Sequence, residues 1–134
     1  MSDFLIYRSD QQPFPQGEAQ QKLQSIGITN LRQTPEGEHG PALACEFHFS
    51  GDATSIRLSD DLETFSITER GEAALEFATR LQASYDEPLQ IIDIGYTFDI
   101  PLKDYSNAAE LEQAMQAAYE IDEDDNDDNS PAKK

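Results

Sequence analysis

The chain has one cysteine, two histidines, no tryptophan and only nine lysines and arginines in 134 residues. A lone cysteine, Cys45, excludes a disulfide framework and suits a reducing compartment, so a cytoplasmic location is expected. No apolar run approaches the ~18 residues of a membrane span. The start, "MSDFLIYRSD", sets an acidic residue before a short apolar run, where a signal peptide would need a basic n-region and a longer apolar stretch. A phosphate-binding glycine loop is also missing, as are the CxxC, HExxH and GxSxG patterns. No cofactor and no metal site is expected, and a catalyst would have little to work with.

Acidic residues are what the sequence has in excess. There are 27 against nine basic ones, a formal charge of −18. Residues 120–134, "EIDEDDNDDNSPAKK", hold seven acidic and two basic residues, net −5, which leaves −13 on residues 1–119. The folded part is therefore strongly acidic by itself. Such a field repels nucleic acid and anionic membranes and raises the encounter rate with cationic partners. Solubility alone, or a salt-adapted host, would produce the same acidity.

Hydropathy patterning predicts a single α+β domain over residues 1–119 and a disordered acidic tail over 120–134. "FLIY" (4–7) reads as a first strand. Ala19, Leu23 and Ile26, with Gly27 as a stop, predict a helix over about 16–26. "ITNLR" (28–32) reads as a strand and "QTPEGEHGP" (33–41) as a loop. "ALACEFHFS" (42–50) and "ATSIRLS" (53–59) alternate around Gly51-Asp52 and predict a β-hairpin, followed by a strand in "ETFSI" (63–67). Ala74, Phe77, Ala78, Leu81 and Tyr85 predict a helix over 68–85, with Thr68 as N-cap and Glu69 suited to the positive end of its dipole. Asn107 and Glu110 have capping-box spacing ahead of a helix over 104–119. The expected architecture is an antiparallel or mixed sheet with two to three helices on one face.

"LQIIDIGYTFDIPL" (89–102) is the most apolar stretch, yet it contains Asp93 and Asp99. Read as one extended strand, it puts Ile92, Ile94, Tyr96, Phe98, Ile100 and Leu102 on the core side and both aspartates on the polar side. Their α-carbons would then lie about 20 Å apart, beyond the roughly 5–9.5 Å of a glycosidase carboxylate pair. Gly95 is the place where a bulge would change this phase.

Other candidate chemistry is thin. Cys45 and His48, three apart on a strand, face opposite sides and cannot form a dyad, and Cys45 is in phase with Phe47 and Phe49 as a core residue. His48 with Glu46 or Asp93 is the remaining acid–base option. His39 has no identifiable ligand partners. Asp122, Asp124 and Asn126 match the start of a calcium loop, but Asp127 replaces the required Gly and Lys133 the closing Glu.

These features favour a non-catalytic binder. The open sheet face should present Glu46, His48, Arg57, Asp93 and Asp99, flanked by the loop residues Asp60, Asp61, Asp86 and Glu87, to a basic protein partner. In size, acidity and lack of catalytic motifs the chain resembles the small immunity proteins that bacteria make against their own toxins. That resemblance implies an inhibitor that neutralises a basic toxin or nuclease by electrostatically steered binding. A nucleic-acid mimic, an adaptor, or an enzyme using His48 with Glu46 or Asp93 are the alternatives.

Overall fold

Alternating burial along most strands marks one sheet face as the core side. The computed structural model describes residues 4–35, 37–68, 71–93 and 98–128, with side chains through Ala118. Seven strands, β1 Phe4–Arg8, β2 Thr29–Gln33, β3 Leu43–Phe49, β4 Asp52–Leu58, β5 Phe65–Ile67, β6 Leu89–Asp93 and β7 Asp99–Pro101, form one sheet. Their order is β2-β3-β4-β5-β1-β6-β7, and every pairing is antiparallel. Helices α1 Gln16–Ile26, α2 Glu72–Ser84 and α3 Ala108–Asp128 cover one face, giving the α+β fold. Helix α2 lies on β3 and β4 and touches both α1 and α3. Where the helices meet the sheet, Ile6, Phe47, Ile56 and Phe65 from the strands and Phe77 and Leu81 from α2 are almost wholly buried. Among the described residues, no helix is long and apolar enough to cross a membrane.

The β3–β4 hairpin follows from its turn chemistry. Ser50 and Gly51 have φ of 56° and 81°, the left-handed pair that a two-residue turn needs to match strand twist. The register Cys45↔Ile56 and Phe47↔Thr54 then aligns the core sides of both strands. Helix α1 has the expected span, and Gly27, at φ 98°, closes it by donating its N–H to the Gln24 carbonyl.

Helix α2 starts later than its apolar stripe suggests. Thr68 is not the cap: its N–H donates to the Ser55 carbonyl, which keeps it in the sheet. Gly71 is the N-cap residue, and the capping oxygen comes from another element. Asp52, at the start of β4, accepts the Ala73 N–H at 3.1 Å. Its carboxylate fills the space a side chain on residue 71 would occupy, so a larger residue there would displace the cap. A carboxylate at this end also complements the helix dipole. Glu69 lies outside the described residues. Further along, Ala74, Phe77, Ala78, Leu81 and Tyr85 are buried as the stripe predicts, and Glu76 pairs with Arg80 at 2.8 Å on the outside.

Asn107 caps α3 as expected, its Oδ1 accepting the Glu110 N–H at 3.0 Å, and Glu110 returns by accepting the Ser106 N–H at 2.8 Å. The helix begins at Ala108 because Leu102–Asp104 form a 3₁₀ turn first. Its backbone continues through Asp128, past the point where the apolar pattern stops. Residues 129–134 lie outside the described residues.

"LQIIDIGYTFDIPL" departs most from expectation. It is not one long strand but two, paired antiparallel with Gln90↔Pro101, Ile91↔Ile100 and Ile92↔Asp99 in register. The chain reverses between them, and the reversal breaks the parity count. On β6 the odd residues, Leu89, Ile91 and Asp93, take the core side, while on β7 it is Ile100. Asp93 is therefore 3% exposed beside Phe4, and Ile92 points to the other face. The 20 Å separation falls with the single strand, since Asp99 now sits opposite Ile92, Asp93's chain neighbour. The two aspartates still cannot work as a pair, because they face opposite sides of the sheet. Gly95 and the other residues of 94–97 lie outside the described residues.

The borrowed cap gives a direct test. Asp52→Ala should lower unfolding free energy by about 1 kcal/mol, the usual worth of an N-cap with its dipole contact. Urea melts at neutral pH measure this, and unchanged stability would show that α2 does not depend on Asp52.

Candidate functional site

The face away from the helices is built from the other parity of each strand. One lateral row crosses all seven strands in register: Arg32, Ala44, Arg57, Ser66, Leu5, Ile92 and Asp99. The row runs from two arginines on the β2–β4 side to a carboxylate on β7, so the face is electrically polar along its width.

Two carboxylates on this face are held by neighbours. A register shift in β2 between Thr29 and Arg32, with Asn30 at φ 60°, brings two side chains onto Glu46. Asn30 Nδ2 donates to Glu46 Oε1 at 2.8 Å, and Arg32 Nη2 donates to Oε2 at 3.0 Å. The Asn30 hydrogen bond, with Arg32 second, holds the Glu46 carboxyl below its ordinary range. Asp99 is held in the same way on the far side. Tyr7 Oη donates to Oδ2 and Gln90 Nε2 to Oδ1, each at 2.8 Å, and Ser9 Oγ in turn donates to Gln90 Oε1 at 3.0 Å. Burial, then the bond to Asp99, pushes the Tyr7 phenol up.

The nine residues expected to meet a partner divide among three places. Glu46, His48, Arg57 and Asp99 share the open face as expected. Asp60 and Asp61 lie in the β4–β5 loop, and Asp86 and Glu87 between α2 and β6, both at the end of the sheet where β1 finishes. Asp61 is tied into its own loop, accepting Ser59 Oγ at 2.6 Å and the Glu63 N–H at 3.0 Å. The main-chain carbonyls of Asp86 and Glu87 accept Lys103 Nζ and Gln82 Nε2. Asp93 is the exception: it lies on the helix side, and no partner approaching the open face can reach it. The same placement removes His48–Asp93 as a dyad, because the two residues face opposite sides and β4, β5 and β1 lie between their strands. His48 and Glu46 do share a face, with Glu46 already committed to Asn30 and Arg32.

The open face carries a groove that the sequence did not suggest. A cavity of about 720 Å³ is bordered by Tyr7, Glu63, Thr64, Ile92, Phe98 and Asp99, with Gln11 at its end. Reading "FLIY" as a wholly apolar strand hid Tyr7, although its parity with Leu5 placed it opposite Phe4 and Ile6. Ile92 and Asp99 came to this groove only through the reversal between β6 and β7. Elsewhere, Cys45 is 1% exposed, and burial pushes its thiol up to about 12. Among the described residues, no cluster of three or more histidine, cysteine, aspartate or glutamate side chains is placed to hold a metal.

Comparison with protein-family models, curated proteins and solved structures found no match.

The depressed Glu46 carboxyl fixes a sign. A group whose folded-state pKa is lowered contributes fully above its ordinary value of about 4.3, and that contribution is lost as pH falls through the lowered value. The stability gap between wild type and Glu46→Gln should thus be full at about pH 5 and shrink progressively as pH falls below that. Urea midpoints across that range measure it. A gap independent of pH would contradict the Asn30–Glu46–Arg32 arrangement.

Proposed function

We propose that this chain is a non-catalytic binding protein that receives a basic protein on its open sheet face. In that role it acts as an immunity protein or inhibitor that neutralises a basic toxin or nuclease. The observation that carries the reading is the state of Asp99: an exposed carboxylate on the uncovered face, fixed by Tyr7 and Gln90 before any partner arrives. A side chain already held in place loses little freedom on binding, which is how preorganised sites gain affinity. The net charge of −18 supports the same reading by favouring encounter with cationic surfaces.

Carboxylates on the loops add to the attraction. Asp60 and Asp61, with Asp86 and Glu87, extend the negative field around one end of the sheet, where steering acts at long range. A nucleic-acid mimic fits less well, because the lateral row carries one carboxylate, Asp99, against two arginines, Arg32 and Arg57. An adaptor role would call for an apolar docking surface, whereas this face is mixed. Catalysis by His48 with Glu46 fits less well, because Asn30 and Arg32 hold the Glu46 carboxyl below its ordinary range, which makes it a weaker base.

Affinity capture from the source organism with the full chain as bait tests the proposal. It should recover a basic protein whose association rate falls about tenfold or more between low and high salt, with a much smaller change in dissociation rate. Recovery of no specific partner at low salt, or of one whose association ignores salt, would overturn the reading.

A further inference from the structure

We infer that the groove over β1, β6 and β7 is the receptor for one lysine or arginine side chain of the partner. The inference rests on the basic-partner reading and names its point of contact. Ile92 and Phe98, 8% and 6% exposed, give the groove apolar surface. Glu63 and Asp99 supply two carboxylates, and Tyr7, Gln11 and Thr64 supply neutral polar atoms. Among the described residues lining it there is no lysine, arginine or histidine. A long cationic side chain matches this division, with its aliphatic stem on apolar surface and its charged head at the carboxylates. A neutral or anionic group would leave those two charges without compensation.

Asp99 is oriented for this role. Tyr7 and Gln90 take one hydrogen bond on each of its oxygens, and a carboxylate offers about four acceptor positions in all, so capacity remains for a cation. Arg57, in the same lateral row, is too far away to neutralise Asp99. It lies four strand spacings from Asp99, about 19 Å at ~4.8 Å per strand. That exceeds the ~8 Å screening length at physiological ionic strength. Among the described residues of the row, Asp99 therefore has no cation within that length, and a partner's cation would supply one. The volume of about 720 Å³ admits one such side chain together with the backbone that carries it.

The test uses the whole chain and defined probes. Amide shifts are followed by two-dimensional nuclear magnetic resonance during titration with capped Gly-Arg-Gly, capped Gly-Lys-Gly and a citrulline control that matches arginine in shape without charge. The cationic peptides should shift Tyr7, Thr64, Ile92 and Asp99 saturably, with a dissociation constant of about 1 mM. The citrulline peptide should not bind. Glu63→Gln and Asp99→Asn should each weaken binding roughly tenfold, the cost of one charge-assisted contact. Asp99 also holds Tyr7 and Gln90. Glu63→Gln keeps the test independent of folding, because the Glu63 side chain makes no hydrogen bond or ion pair among the described residues.

Shifts confined to the Asp60–Asp61 and Asp86–Glu87 loops, or binding unchanged in Glu63→Gln, would overturn the groove and leave the basic-partner reading standing. Saturable binding at the groove by a chain that captures no basic protein would uphold the groove and overturn the partner reading.

Discussion

Everything distinctive about this molecule follows from burying only one side of a seven-stranded antiparallel sheet. Three helices satisfy the apolar parity of each strand, and half the side chains are left to find other company. On the uncovered side they do so through polar clamps. Asn30 and Arg32 take both oxygens of Glu46, and Tyr7 and Gln90 take both oxygens of Asp99. These contacts are exposed and so contribute little to stability. Their effect is positional: they fix where negative charge stands on the face.

The helix layer is tied to the sheet by polar groups as well as by apolar contact. Asp52 reaches from β4 to the first turn of α2. At the other end of that helix the buried Gln82 accepts the Leu89 N–H at 2.7 Å and donates to the Glu87 carbonyl at 3.0 Å. Between them, these two side chains set both ends of α2 against the sheet. The second contact also shapes the loop that carries Asp86 and Glu87, so part of the acidic rim is positioned by a buried amide.

Local rules made much of this fold legible. Helix α1 is defined by a stripe and a glycine stop, the β3–β4 hairpin by alternation around a glycine turn, and the start of α3 by Asn107 and Glu110. Each depends on residues close in sequence. The misses came where a distant residue decided. Asp52 lies about twenty positions before the helix it caps, so Thr68 was the better local candidate. The β6–β7 segment failed for another reason, because alternation determines faces only while the strand continues. Once the chain reverses, the same run of isoleucines is divided between two strands and Asp93 moves to the core side. The candidate site was half legible: strand parity placed Glu46, His48 and Arg57 together, but the groove needed Tyr7, Glu63 and Ile92, which no motif marks.

A single picture joins fold and charge. In the proposed function the acidic field would gather cationic partners, the open face would give them a surface, and the clamped Asp99 beside its apolar floor would give one basic side chain a destination. Hydrogen–deuterium exchange of this chain with and without its captured partner tests that picture most directly. The account predicts slowed exchange at the amides of Asp99 and Ile100 on the edge strand β7 and at Glu63–Thr64, with α1 and α3 unchanged. Slowed exchange across the helices, with β7 and the β4–β5 loop unaltered, would contradict it.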